Sequence, residues 1–150
     1  MSSNNFDYDK MLQFSIAAIQ EFAASHQEEV FYGFSIYDSL LCLNSEQQFS
    51  KSLTRYLSWY PWESSDSEEI QESRLDPGEW AYKGFATLRD SGGFDDRAYK
   101  EYCEASDEER QSTPYALSID KLVHELISKD AFLILKRTNK FLANRDKERL

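Results

Sequence analysis

Covalent acyl transfer needs a serine or cysteine beside a histidine that a carboxylate orients. This sequence supplies two histidines, His26 and His124, and two cysteines, Cys42 and Cys103. His26 falls at the end of a helix-like segment, where a protonated imidazole suits the helix dipole. His124 sits between Val123 and Glu125, beside an apolar stripe. Both read as surface or satisfied histidines, not as bases. No Gly-x-Ser-x-Gly is present, and no glycine-rich loop that could cradle a phosphate. The positions 26, 42, 103 and 124 fit no zinc spacing. The sequence therefore predicts no catalytic residue, no metal and no cofactor. The two cysteines lie in unlike surroundings, an apolar run and an acidic segment, and read as free thiols.

Carboxylates are the abundant chemical group. A lone pair such as Asp95 and Asp96 carries little meaning in an acidic chain, where a solvated face is the ordinary outcome. Clusters say more. Residues 63–73 hold Glu63, Asp66, Glu68, Glu69 and Glu72 with no base. Residues 95–109 hold seven acids against Arg97 and Lys100, whereas residues 121–149 hold eight bases against four acids. The net charge of −10 disfavours nucleic acid and anionic membrane as partners, because both require a positive surface. It favours a basic partner, steered to the acidic segments by charge. Trp59-Tyr60-Pro61-Trp62 stands directly before the first cluster. Trp59 reads as closing the core over a helix end. Trp62 reads either that way or as an apolar anchor for a partner. The candidate binding residues are Trp62, Glu63, Asp66, Glu68, Glu69, Glu72, Asp95 and Asp96.

The elements that position these groups follow from periodicity. At 150 residues, 41% of them hydrophobic and 15% aromatic, the chain can close one core over residues 1–150. Residues 7–25 read as a helix, with Asp7 at its start and Leu12, Ile16, Ile19 and Ala23 at helical spacing. Residues 29–37 read as a strand whose Tyr32, Phe34 and Ile36 face the core. Asp38-Ser39 reads as a turn into a second strand, 40–43. Ser45-x-x-Gln48 has the form of a capping box and opens a helix carrying Phe49, Leu53, Tyr56 and Leu57, which Pro61 ends.

Residues 63–73 read as an exposed loop. Pro77-Gly78 reads as a turn, and 80–82 as a third strand. Gly92-Gly93 breaks the chain before a short helix within 94–106. Thr113-Pro114 starts a strongly amphipathic helix over 115–128. The run Ala131–Leu135 reads as a buried helix segment or a strand, since short apolar runs do not decide between them, with helix to about residue 137 the expected form. The predicted class is α/β, in the α+β sense: a small, mainly antiparallel sheet flanked by amphipathic helices. No stretch approaches the roughly 20 apolar residues of a membrane span. The first residues lack the basic and apolar regions of a signal peptide, so a cytoplasmic location is expected.

Four features together resemble the bacterial domain-of-unknown-function family numbered 4303. They are the N-terminal amphipathic helix, the segment Phe31-Tyr32-Gly33-Phe34-Ser35-Ile36-Tyr37-Asp38, a second strand leading into Asn44-Ser45-Glu46, and a Trp-centred stretch from Arg74 to Tyr82. In that stretch Glu79-Trp80-Ala81-Tyr82 has the acid before tryptophan and the aromatic two residues after it. The resemblance implies an immunity protein: an inhibitor that binds one cognate polymorphic toxin and occludes its active cleft, without catalysis. The alternative is a small-ligand-binding module or an enzyme of unrecognised type. Trp80 and Tyr82 are expected to support the fold.

Overall fold

Asp7 begins the first helix as its sequence position suggests. Its carboxylate accepts the Lys10 N–H at 3.2 Å, satisfying a donor that the first turn leaves open. The computed structural model describes residues 5–147. Helix α1 (Tyr8–Ala24) buries Met11, Leu12, Ile19 and Phe22. The chain then enters β1 (Val30–Tyr37), turns at Asp38, and returns as β2 (Leu40–Ser45), an antiparallel hairpin. Asp38 adopts φ +59°, a left-handed conformation that aspartate tolerates better than most side chains. Three contacts hold the turn. The Asp38 carboxylate accepts the Tyr99 hydroxyl, its carbonyl accepts the Tyr115 hydroxyl at 2.6 Å, and Arg89 donates to the Ser39 hydroxyl at 2.6 Å.

Helix α2 (Glu46–Trp59) starts at Ser45, whose hydroxyl accepts the Gln48 N–H at 3.1 Å. The reciprocal half of the expected capping box is absent, because the Gln48 amide donates to the Tyr82 hydroxyl instead. Helix α3 (Glu68–Arg74) follows. The 63–73 segment is thus not a loop throughout. Ser67 caps the helix through the Ile70 N–H, and Ile70, 5% exposed, fixes it to the body. After a 3-10 turn at Pro77–Glu79, strand β3 spans Tyr82–Thr87. It begins where the sequence reading ended its third strand, since Trp80 and Ala81 precede it. Helices α4 (Asp96–Glu104), α5 (Asp107–Arg110) and α6 (Pro114–Ser128) come next, with Thr113 capping α6 as Thr113-Pro114 suggests.

The expected helix to about 137 does not exist. Asp130 takes φ +56°, and Ala131 and Asp130 donate back to Leu126 and Ile127 at 2.9 and 3.1 Å. This is a left-handed stop that satisfies the last carbonyls of α6. Residues 131–135 form turns that insert Phe132 and Leu135 into the core. The chain then enters β4 (Lys136–Arg145), which pairs in parallel with β1. The sheet order is β3-β2-β1-β4, with two antiparallel ladders and one parallel. The mainly antiparallel α+β expectation holds.

Both faces of the sheet are covered. The main core packs α1, α4, α6 and the 131–135 turns against Phe31, Phe34, Ile36, Leu41 and Leu43. Each such side chain contributes about 1.5–3 kcal/mol on burial. A smaller cluster on the other face joins Tyr32, Cys42 and Trp80, with Phe49 beside them. A bulge between Phe31 and Gly33 explains why Tyr32 leaves the face of Phe34 and Ile36. Simple alternation had placed all three together. A Cβ on Gly33 would lie 3.0 Å from the Trp80 ring, so the bulge and the indole fit each other closely.

Arg74 organises the smaller cluster. Its guanidinium lies 3.9 Å from the Tyr32 ring centroid and pairs with both Glu46 carboxylate oxygens, at 2.5 and 2.9 Å. Its carbonyl accepts both the Tyr32 hydroxyl and the Trp80 indole N–H, each at 2.8 Å. Trp80 is 8% exposed. A second arginine seals the far end. Arg145, 2% exposed, is bound to Asp120 at 3.0 Å, to the Tyr102 hydroxyl at 2.9 Å and to the Gln111 carbonyl oxygen.

Candidate functional site

Helix α2 has an apolar stripe but no buried residue among its fourteen. Phe49, Leu53, Tyr56 and Leu57 are all half-buried, so the sheet covers the stripe incompletely. The open remainder faces α3 across a groove of about 450 Å³, lined by Phe49, Leu53, Tyr56, Trp59, Ile70 and the acids Glu69 and Glu79. Trp59 does not close the core. It is 65% exposed at the last position of α2, where it lines the groove. The Tyr56 and Tyr60 rings lie 4.9 Å apart, and Tyr60 meets Trp62 edge-on at 5.7 Å. Trp62 is 76% exposed. Two exposed tryptophans on one surface, one of them edge-on to a neighbouring ring, are typical of a surface that has a partner.

The acids of the first cluster border this aromatic surface. Glu68, Glu69 and Glu72 are exposed along α3, and Glu63 is half-buried just beyond Trp62. Among the described residues, none of these four is in an ion pair. Asp66 accepts the Ser64 hydroxyl, which shapes the turn before α3. The Tyr56 hydroxyl titrates above its ordinary range. Partial dehydration is the first cause, and the Glu63 and Glu69 charges, which oppose a phenolate, come next. The two glutamates and the ring therefore share one electrostatic neighbourhood.

Asp95 and Asp96 belong elsewhere. Asp95 caps α4, accepting the Arg97 and Ala98 N–H groups at 3.0 and 3.2 Å and the Asn5 N–H at 3.0 Å. Asp96 pairs with Arg89 at 2.6 Å. Helix α4 packs on the main-core face of the sheet, whereas α3 stands with Arg74 and Phe49 on the opposite face. The sheet thus separates the two acidic segments that charge alone had joined. The second one carries α4, within the expected 94–106, and then the short α5.

Sequence reasoning missed Tyr56, Tyr60 and Glu79 as members of this surface and assigned Trp59 to the core. The available signal was the α2 stripe running directly into Trp59-Tyr60-Pro61-Trp62. A second concavity, of about 840 Å³, lies beyond α3 and is lined by Glu69, Glu72, Asp76, Glu79, Arg145 and Lys147, among others. Its one deeply buried charge, Arg145, already has protein partners.

His26 stacks on Phe22 with ring centroids 3.8 Å apart. Its Nδ1 lies 2.7 Å from the Phe22 carbonyl, which can only accept, so this nitrogen carries the proton. His124 is exposed on α6. Cys42 is buried and Cys103 exposed, and both are free. Among the described residues no group of three or more His, Cys, Asp or Glu side chains is placed to hold a metal ion. Likewise no helix is long and apolar enough to cross a membrane. Compared with protein-family models, curated proteins and solved structures, the chain matches none of them.

Proposed function

We propose that this chain is a cytoplasmic immunity protein that binds a cognate antibacterial toxin and blocks its active cleft. One observation supports the reading above the others: two exposed tryptophans beside a row of carboxylates that have no ion-pair partners among the described residues. Such a surface suits a basic partner. The carboxylates raise the encounter rate, and the rings supply the apolar contact that resists dissociation. A toxin that acts on an anionic substrate presents a basic cleft, and α3 can occupy it in place of that substrate.

The test begins with co-purification of the chain with the product of the adjacent upstream gene. Next, Glu63, Glu68, Glu69 and Glu72 are changed to glutamine and Asp66 to asparagine, and association is followed across salt concentrations. The association rate at low salt should fall by about tenfold or more and lose its salt dependence. A variant that associates as the wild type does, with the same salt slope, would refute α3 as the steering element. The second reading, a small-ligand module, draws its support from the 840 Å³ concavity. A ligand retained through purification and released on denaturation would favour it.

A further inference from the structure

We infer that the groove between α2 and α3 is a receptor for a single guanidinium side chain of the partner, seated against Trp59 and Tyr56 and paired with Glu69. This inference rests on the inhibitor reading and narrows it to one contact.

The chain already holds one such cation internally. Arg74 lies 5.1 Å from the Phe49 ring centroid and closer still to Tyr32, while Glu46 takes its N–H groups in two parallel bonds. A planar cation over aromatic rings with a carboxylate at its edge is a favourable arrangement, because the ring quadrupole and the carboxylate attract the same group. Phe49 lines the groove too. Further along α2, Tyr56 and Trp59 line the same groove as Glu69 of α3, so aromatic rings and a carboxylate are again brought to one place. No cation of the described residues lies over either of these rings. Arg55, the one base lining the groove, makes none of the ring contacts that Arg74 makes.

Size and polarity agree with this occupant. A groove of about 450 Å³ is too small for a helix but admits one or two long side chains. Its floor, Ile70, is apolar and 5% exposed, so the methylene stem of an arginine can lie against it while the head reaches the rim. Arginine suits the site better than lysine. Its plane stacks on a ring, and its fork matches a carboxylate, whereas an ammonium is compact and strongly hydrated.

The test uses the intact chain and three acetylated hexapeptides of alternating residues: arginine with leucine, lysine with leucine, and citrulline with leucine. Citrulline keeps the planar shape without the charge. The readout is the indole N–H resonance of each tryptophan. Trp80, buried and bonded to the Arg74 carbonyl, is an internal control for folding.

The arginine peptide should move the Trp59 resonance saturably and leave Trp80 in place. The citrulline peptide should bind at least about tenfold more weakly, and Tyr56→Ala and Glu69→Gln, both of which keep the Trp59 reporter, should each weaken the arginine peptide by about fivefold. Equal binding of the arginine and citrulline peptides, or unchanged binding by both variants, would overturn the inference. The two readings fail separately. A toxin that co-purifies and binds both variants as tightly as the wild type leaves the inhibitor reading standing and refutes the guanidinium site. Arginine-selective binding without any co-purifying toxin supports the site and counts against the inhibitor reading.

Discussion

Replacing Asp120 by alanine should destabilise the protein more than replacing Arg145 by methionine, although both changes break the same ion pair. The reason is an asymmetry of burial. The Arg145 side chain is fully buried, while that of Asp120 is 42% exposed. Asp120→Ala strands a guanidinium in the core with only Tyr102 and Gln111 as partners. Removing one member of a buried pair in this way costs about 3–5 kcal/mol. Alanine recovers up to about 0.7 kcal/mol through its better propensity within α6, which leaves a net loss of about 3 kcal/mol.

Arg145→Met removes the buried charge, fills most of the same volume, and leaves Asp120 free to turn toward water. What remains is the loss of partners by the Tyr102 hydroxyl and the Gln111 amide, about 1–2 kcal/mol together. The assay is urea unfolding followed by tryptophan emission, with midpoints compared at constant slope. A difference of 1 kcal/mol corresponds to roughly 2–4 °C in melting temperature for a chain of this size, so thermal scans provide a check. If the methionine variant proves equally or more unstable, the burial argument is wrong and Arg145 acts mainly through its hydrogen bonds.

Trp80→Ala should cost about 3–5 kcal/mol in the same unfolding assay, because it empties the smaller cluster and removes a hydrogen bond to Arg74. A melting temperature equal to wild type would show that the indole is not structural. Stability should decline in alkali in two stages. Burial raises the Cys42 thiol from 9.0 to about 11 and the Tyr32 phenol from 10.0 to about 12, so their stabilising contributions are complete below about pH 9 and pH 10. They are then lost as pH rises through the folded values, since the unfolded chain gives up these protons first. Unfolding curves at fixed pH from 8 to 12 would show it, and a flat profile would refute the assignment. Disulfide-exchange reagents should label one thiol per native chain, Cys103, with Cys42 reacting only on unfolding; two fast thiols would contradict its burial.

Much of the fold was legible where the determinants are local. The stripe of α1, the caps at Ser45 and Thr113, the turn at Asp38 and the apolar face of α6 each depend on residues within a few positions of one another. The failures are of another kind. Strand β4 is rich in charge and exposed along most of its length, as an edge strand is, and its pairing partner lies far away in sequence. Nothing local marks it. The 131–135 run is short and apolar, a pattern that helix and strand share, and an aspartate at 130, where glycine is usual, ends α6. The α3 helix is polar but for Ile70. Trp59 was misplaced because periodicity identifies the apolar side of a helix but not how much of it the sheet covers. The charge clusters were read correctly as charge, yet their separation by the sheet is a tertiary fact. The aromatic half of the candidate site was visible as composition and invisible as a surface.

The parallel position of β4 also governs the order in which the molecule can be assembled. Ser35 and Asn144, bonded across the β1–β4 ladder, are 109 residues apart in the chain. The β1–β2 hairpin and β3 can pair as they emerge during synthesis, which proceeds at about 5–20 residues per second. For that interval β1 keeps one edge open, a template for pairing with a neighbouring chain. Closing so distant a contact is slow compared with forming a hairpin. Nascent chains truncated before β4 should therefore be the species most prone to aggregate, and Arg145 marks the point at which that exposure ends.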